Sequence, residues 1–93
     1  MGLFFDFNKT FNEMGRALKH GTEDEKKNLL NKFKKNSRSC IPKLIEKLNS
    51  SLFDADIWAK ESDVARIILV LLFNDQKTRH TVIKHLDEAG VKL

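Results

Sequence analysis

Apolar residues recur at intervals of three and four along most of this chain, the period of helices that bury one face. At the start, Phe4, Phe7, Phe11, Met14 and Leu18 fall into one narrow stripe, while Asn8, Asn12, Arg16 and Lys19 take the other faces and Phe5 lies outside the stripe. The spacing predicts a first amphipathic helix ending near His20 and Gly21. Thr22, followed three residues later by Glu25, makes a capping box, in which the threonine oxygen accepts from an orphan helix amide and the glutamate reaches back. Glu23, Asp24 and Glu25 add negative charge where the helix dipole favours it. A second helix is expected from there, burying Leu29, Leu30 and Phe33, turning Lys27, Lys34 and Lys35 outward, and fading over the small polar run from Asn36 to Ser39.

Ile41, Leu44, Ile45 and Leu48 give a third, short helical stripe with Pro42 in its first turn, where the missing N–H has no helical partner to lose. Asn49, Ser50 and Ser51 end it, and Leu52 to Asp56 form a connection. A fourth helix begins between Ile57 and Val64, with Ser62 or Asp54 as cap, and runs to Phe73. Its segment Ile67 to Phe73 is apolar on every side, so the pattern predicts a central helix surrounded by the others. The same run matches a buried strand by periodicity, but the chain offers no second run to pair with it. Asn74 and Asp75 break and recap the chain, and Val82, Ile83, Leu86 and Ala89 mark the inner face of a fifth helix. Gly90 followed by Val91 stops it, the glycine accepting a left-handed conformation. The fold expected is all-α: a single domain, residues 1–93, built as a bundle of about five helices.

Ninety-three residues are enough for one core and too few for two. Cys40 is the one cysteine, so no intramolecular disulfide can form, and a reducing, cytoplasmic setting is expected. The first eleven residues carry Asp6 and Lys9 and do not read as a signal peptide. Gly2 is not in a myristoylation pattern either, since Asp6 stands where serine or threonine is required. The longest apolar run is far shorter than the ~20 residues of a spanning helix. The formal charge of +4 is unevenly spread: from Lys26 to Lys47 eight basic residues face the single acidic Glu46, leaving the remainder net negative. Such a dipolar surface suits an acidic partner on its basic side.

The second and fifth helices share an internal pattern. Thr22 precedes Leu29, Leu30 and Phe33 by the same intervals at which Asp75 precedes Val82, Ile83 and Leu86. Cys-Ile-Pro-Lys-Leu at 40–44 and Ala-Gly-Val-Lys-Leu at 89–93 follow them. The alternative is that any two antiparallel helical hairpins look alike. The segment from Asp63 to Leu93 resembles an armadillo or HEAT-type repeat: an apolar helix from Val64 to Phe73, a short Asn-Asp break, a capped helix, then Glu-Ala-Gly-Val before a further leucine. That resemblance covers about a third of the chain and implies a protein-binding groove, although such arrays need about three repeats to close a core.

Residues that could carry chemistry are few. His80 and His85 are five apart and so diverge around a helix instead of converging as metal ligands do. His20 lies near the end of the first helix, where a cation suits the dipole. Cys40 has a nucleophile reading through Arg38 and a helix N-terminus, against a reading as a small buried residue beside Ile41. Asp54-Ala-Asp56 begins like a calcium loop, but Trp58 and Ala59 occupy the places of a ligand and the required glycine. No glycine-rich phosphate loop or nucleophile elbow occurs, so an enzyme, a metal site and a cofactor are not expected. The candidate binding residues are Lys27, Lys34, Lys35 and Arg38, together with Trp58 as an interface anchor. The phenylalanine stripe reads as core, with docking into a partner groove as its alternative; Asp6 and Glu13 argue against a membrane. These features lead us to expect a non-enzymatic helical adaptor that binds another protein with an acidic surface, self-association being open to so small a chain. The alternative is a nucleic-acid-binding module using the basic face of the second helix.

Overall fold

The computed structural model describes residues 5–93. Helix α1 spans Phe7–His20 and starts at Asp6, whose carboxylate accepts from the Lys9 amide at 3.1 Å. Phe7, Phe11 and Met14 are buried, and the Phe7 and Phe11 rings stack at 5.7 Å. Phe4, at the head of the predicted stripe, lies outside the described residues. Phe5, off the stripe in the helical pattern, still reaches the core: it precedes the helix, and its ring meets Phe33 edge-on at 6.0 Å.

Helix α2, Glu23–Lys35, has both halves of the capping box, with the Glu25 amide donating to Thr22 Oγ1 at 3.1 Å and the Thr22 amide to the Glu25 carboxylate at 3.3 Å. Phe33 is fully buried, and Leu29 and Leu30 are half-buried against the same core. Helix α3, Ser37–Lys47, follows after Asn36 alone, because the Asn36 carbonyl accepts from the Ser39 and Cys40 amides and nucleates a new helix at once. Pro42 therefore sits in the second turn and not the first. It removes the amide that would bond to the carbonyl of Arg38, an exposed residue beside which water can substitute.

Between α3 and α4 lies an antiparallel hairpin that the hydrophobic pattern did not reveal, β1 (Phe53–Asp54) paired with β2 (Ala59–Lys60) in the register Phe53–Lys60 and Asp54–Ala59. Helix α4 then runs Glu61–Asn74 with no side-chain cap: neither Ser62 nor Asp54 serves, and the Asp54 carboxylate accepts from the Asp56 amide inside the hairpin. Val64, Ala65, Ile68, Leu69 and Leu72 are buried, so the apolar run is a helix and lies at the centre of the fold. It is not surrounded. The neighbours α2, α3 and α5 leave one face open, on which Ile67, Val70 and Phe73 stay exposed.

Helix α5, Arg79–Ala89, packs on α3 and α4 through Val82 and Leu86. Ile83 and Ala89, expected to face inward, are exposed, because α5 lies on the surface and is covered along one narrow strip. The turn before it is built by Asp75, whose carboxylate accepts from the Lys77 and Thr78 amides at 3.1 Å each. Thr78 and Arg79 in turn donate to the Leu72 and Phe73 carbonyls that end α4. Gly90 closes α5 at φ 68°, a left-handed conformation that costs glycine little. The resulting all-α bundle holds one contiguous core drawn from all five helices, among them Met14, Phe33, Leu44, Ile68 and Val82. No helix among the described residues is long and apolar enough to cross a membrane.

Candidate functional site

The most exposed large apolar side chains gather on the hairpin. The Asp54 carboxylate turns the chain by accepting from the Asp56 amide at 2.9 Å, and the Asp54 carbonyl accepts from the Ile57 amide at 3.3 Å. Ile57 points inward and is buried. Its Cδ1 lies 3.1 Å from where a β-carbon would stand on residue 15, so Gly15 is what lets the hairpin seat tightly on α1. Anchored there, the chain must reverse direction in one residue to enter β2. Trp58 does so at φ 51°, the single non-glycine residue with positive φ among those described. That conformation costs an ordinary L-residue about 1–2 kcal/mol, and glycine or asparagine is its usual occupant.

The indole is 76% exposed, and the edge-on ring of Phe53, itself half exposed, braces it at 5.7 Å. Leu52 adds a further exposed apolar side chain at the root of the hairpin. Next to the indole, hairpin, α1 and α4 enclose a cleft of about 170 Å³ walled by Gly15, Leu18, Ile57, Trp58, Val64 and Ile67. Lys19 and Asp63, both exposed, also line it. Two loose ion pairs flank the same face, Arg16–Asp56 and Arg66–Asp63, each at 3.8 Å. The face is thus an apolar centre with a rim of both signs.

The basic segment divides into two groups. Lys26 pairs with Glu23 at 2.7 Å, and Lys34 is half-buried in an ion pair with Asp75 at 3.2 Å that ties α2 to the α4–α5 turn. Lys43 and Lys47 lie over the Phe7 and Phe11 rings at 5.6 and 5.1 Å. Lys27, Lys32, Lys35 and Arg38 are exposed and have neither an ionic nor an aromatic partner among the described residues. Helical geometry spreads the three lysines of this group over the side of α2 opposite Phe33. Of the sequence candidates, the structure therefore keeps Lys27, Lys35 and Arg38 on a free surface, gives Lys34 to an internal contact, and sets Trp58 on a separate face.

A larger cleft of about 680 Å³ is lined in part by Asp6, Lys43, Glu46, Lys47 and Glu61, of which Lys47 and Glu61 pair with each other. Glu61 accepts from Lys47 at 3.2 Å and from the Ser50 hydroxyl at 2.9 Å. Cys40 is fully buried, and its thiol donates to the Phe33 carbonyl at 3.4 Å. Burial pushes the thiol up to about 12, overriding the opposing influence of a backbone hydrogen bond and Lys43. A group so placed is protonated and shielded, which removes the nucleophile reading. His85 rests against Glu88 at 3.4 Å, and among the described residues no cluster of three or more His, Cys, Asp and Glu side chains could hold a metal ion.

Leu52, Phe53 and Ile67 were missed as surface residues by periodicity, which assigns apolar residues to a core. The available signal was the Asp-Ala-Asp turn set among aromatics outside any helical stripe. Comparison of the chain with protein-family models, curated proteins and solved structures finds no match in any of the three.

Proposed function

We propose that this chain is a non-enzymatic helical module that recognises another protein through the face carrying Trp58. One observation carries the reading: a tryptophan 76% exposed to water on a left-handed backbone. Folding alone favours a smaller, more permissive residue there, and water disfavours the bare indole. Strain and exposure together at one residue are accounted for by a role in contact, since tryptophan supplies large, rigid anchors at interfaces. The cleft beside it and the mixed-sign rim are the surroundings such an anchor requires. The free basic residues Lys27, Lys35 and Arg38 would favour a partner with acidic surface nearby, and a reducing, cytoplasmic setting belongs to the same proposal. Affinity capture from the native cell with the wild type and W58A tests it. Removal of a hot-spot tryptophan should lower recovery of the bound protein by about 30-fold, the equivalent of about 2 kcal/mol. Equal recovery by both, with equal thermal stability, would overturn the reading.

The free basic strip on α2 supports a second reading, binding of nucleic acid through phosphates. A gel-shift titration at low salt decides between them. A salt-sensitive shift lost in K27E/K35E and unaffected in W58A would replace the first reading with the second.

A further inference from the structure

We infer that the nucleic acid suited to the basic strip of α2 is duplex DNA, met by laying the outer side of this helix in the major groove. The inference rests on the nucleic-acid reading of that strip and names the form of nucleic acid it would take. By helical geometry Asp24, Asn28, Asn31 and Lys35 form a ridge within about 40° of the direction opposite Phe33, with Lys27 about 60° to one side of that direction and Lys32 about 80° to the other. All six are exposed. Amides thus stand in the middle of the face and an ammonium on each flank. A groove presents its groups in the same order, base edges on the floor and a phosphate strand along each wall. Asparagine pairs with adenine, lysine with guanine, and a carboxylate accepts from the amino group of cytosine, while Lys27, Lys32 and the exposed Arg38 of α3 would take phosphates. The other acidic residues of the first turn are engaged within the chain, Glu23 by Lys26 and Glu25 by Thr22. The same face disfavours the other occupants. Phe33, Leu29 and Leu30 turn to the core, so the ridge carries none of the apolar anchors of a protein contact. It has no ring on which unpaired bases could stack, and the major groove of A-form RNA is too narrow for side chains to read. A helix about 10–12 Å across fits the B-form groove of about 12 Å.

Fluorescence anisotropy with three labelled probes tests it: a random-sequence DNA duplex, the same DNA as a single strand, and an RNA duplex. The DNA duplex should bind at least about 10-fold more tightly than either of the others. With three phosphate contacts, log affinity should fall against log salt with a slope of about −2.7, and K27Q and K32Q should each lessen it by about 0.9. In selection from a random duplex pool, the wild type should prefer its enriched sequence over the pool by about 10- to 100-fold. N28A/N31A, confirmed as folded by circular dichroism, should bind sequence and pool alike with the salt slope unchanged. Equal or tighter binding of the single strand or the RNA duplex overturns docking in the DNA groove and leaves the nucleic-acid reading standing. A slope unmoved by K27Q and K32Q, or a wild type that enriches no sequence, overturns the docking too. If none of the three probes binds at about 50 mM salt, the nucleic-acid reading fails with it.

Discussion

Trp58 and Cys40 show how far the surroundings of a residue, and not its type, set what it can do. Trp58 belongs to the class that contributes most to a core, yet it stands in water on a backbone that tolerates it poorly. Replacing it by glycine relieves about 1–2 kcal/mol of left-handed strain. Against this stand about 0.5–1.5 kcal/mol for the lost Phe53 pair and about 0.5–1 kcal/mol for glycine's entropy. These nearly cancel, so W58G should melt within about 5 °C of the wild type. A drop of more than about 10 °C in a thermal scan would mean that the indole holds the hairpin together instead of serving contact. Cys40 is the reverse case, a reactive group made inert by position. A thiol reagent should leave the native protein unmodified and label it after unfolding. Because the unfolded thiol ionises near its ordinary value of 9.0 and the buried one only at about 12, alkali favours the unfolded chain across that interval. Thermal midpoints should fall from pH 9.0 upward to about 12, and C40A should lose part of that fall.

At the scale of the elements, short polar segments decide where each helix starts, and the α4–α5 turn shows how many contacts one side chain can organise. Asp75 accepts from two backbone amides and from Lys34, linking α2 to the turn that orients α5. Desolvation would raise its pKa, but the hydrogen bonds from Lys34 and Thr78 and the Lys34 charge outweigh it and hold the carboxyl below its ordinary value. The sign follows: the contribution is present above the ordinary carboxylate value, about pH 3.9, and is lost as pH falls through the lowered one. Acid titration of the melting midpoint should therefore show a shallower acid limb for D75N than for the wild type. Identical acid limbs would show that the ion pair seen at 3.2 Å contributes nothing to stability. Thr22 caps α2 directly, whereas α5 starts at Arg79 behind Thr78 with no side-chain cap, and Asp75 instead holds the turn before it.

For the whole molecule, the decisive arrangement is the placement of α4 against three other helices. Its buried face is Val64, Ala65, Ile68, Leu69 and Leu72, and it packs against α2, α3 and α5. Truncating Ile68 to alanine should cost about 2–5 kcal/mol. Total stability for this length is expected at about 5–14 kcal/mol. A urea titration should thus show a large fall in midpoint with little change in slope. A change under about 1 kcal/mol would show that the site relaxes and that α4 is not the centre of the packing. Ile67, Val70 and Phe73 remain uncovered because α2, α3 and α5 pack against the other side of α4.

What the chain determined by itself was local. The Phe7–Phe11–Met14 stripe, the Thr22–Glu25 box and the Gly90 stop are each written within a few residues, because helix period, capping and backbone permissiveness act over one or two turns. The helical character of the other segments was legible from their stripes in the same way, but the starts of α3 at Ser37 and of α5 at Arg79 were not. Of the surface candidates, Lys27, Lys35, Arg38 and Trp58 were visible as residue types, yet their standing depended on distant neighbours. Lys34 was withdrawn by Asp75, forty-one positions away, and Trp58 was set out in water by a hairpin anchored against Gly15. Burial and charge pairing are properties of the assembled fold, since they arise where separate elements meet. Tertiary packing alone therefore decided which apolar groups face solvent and which cations are free.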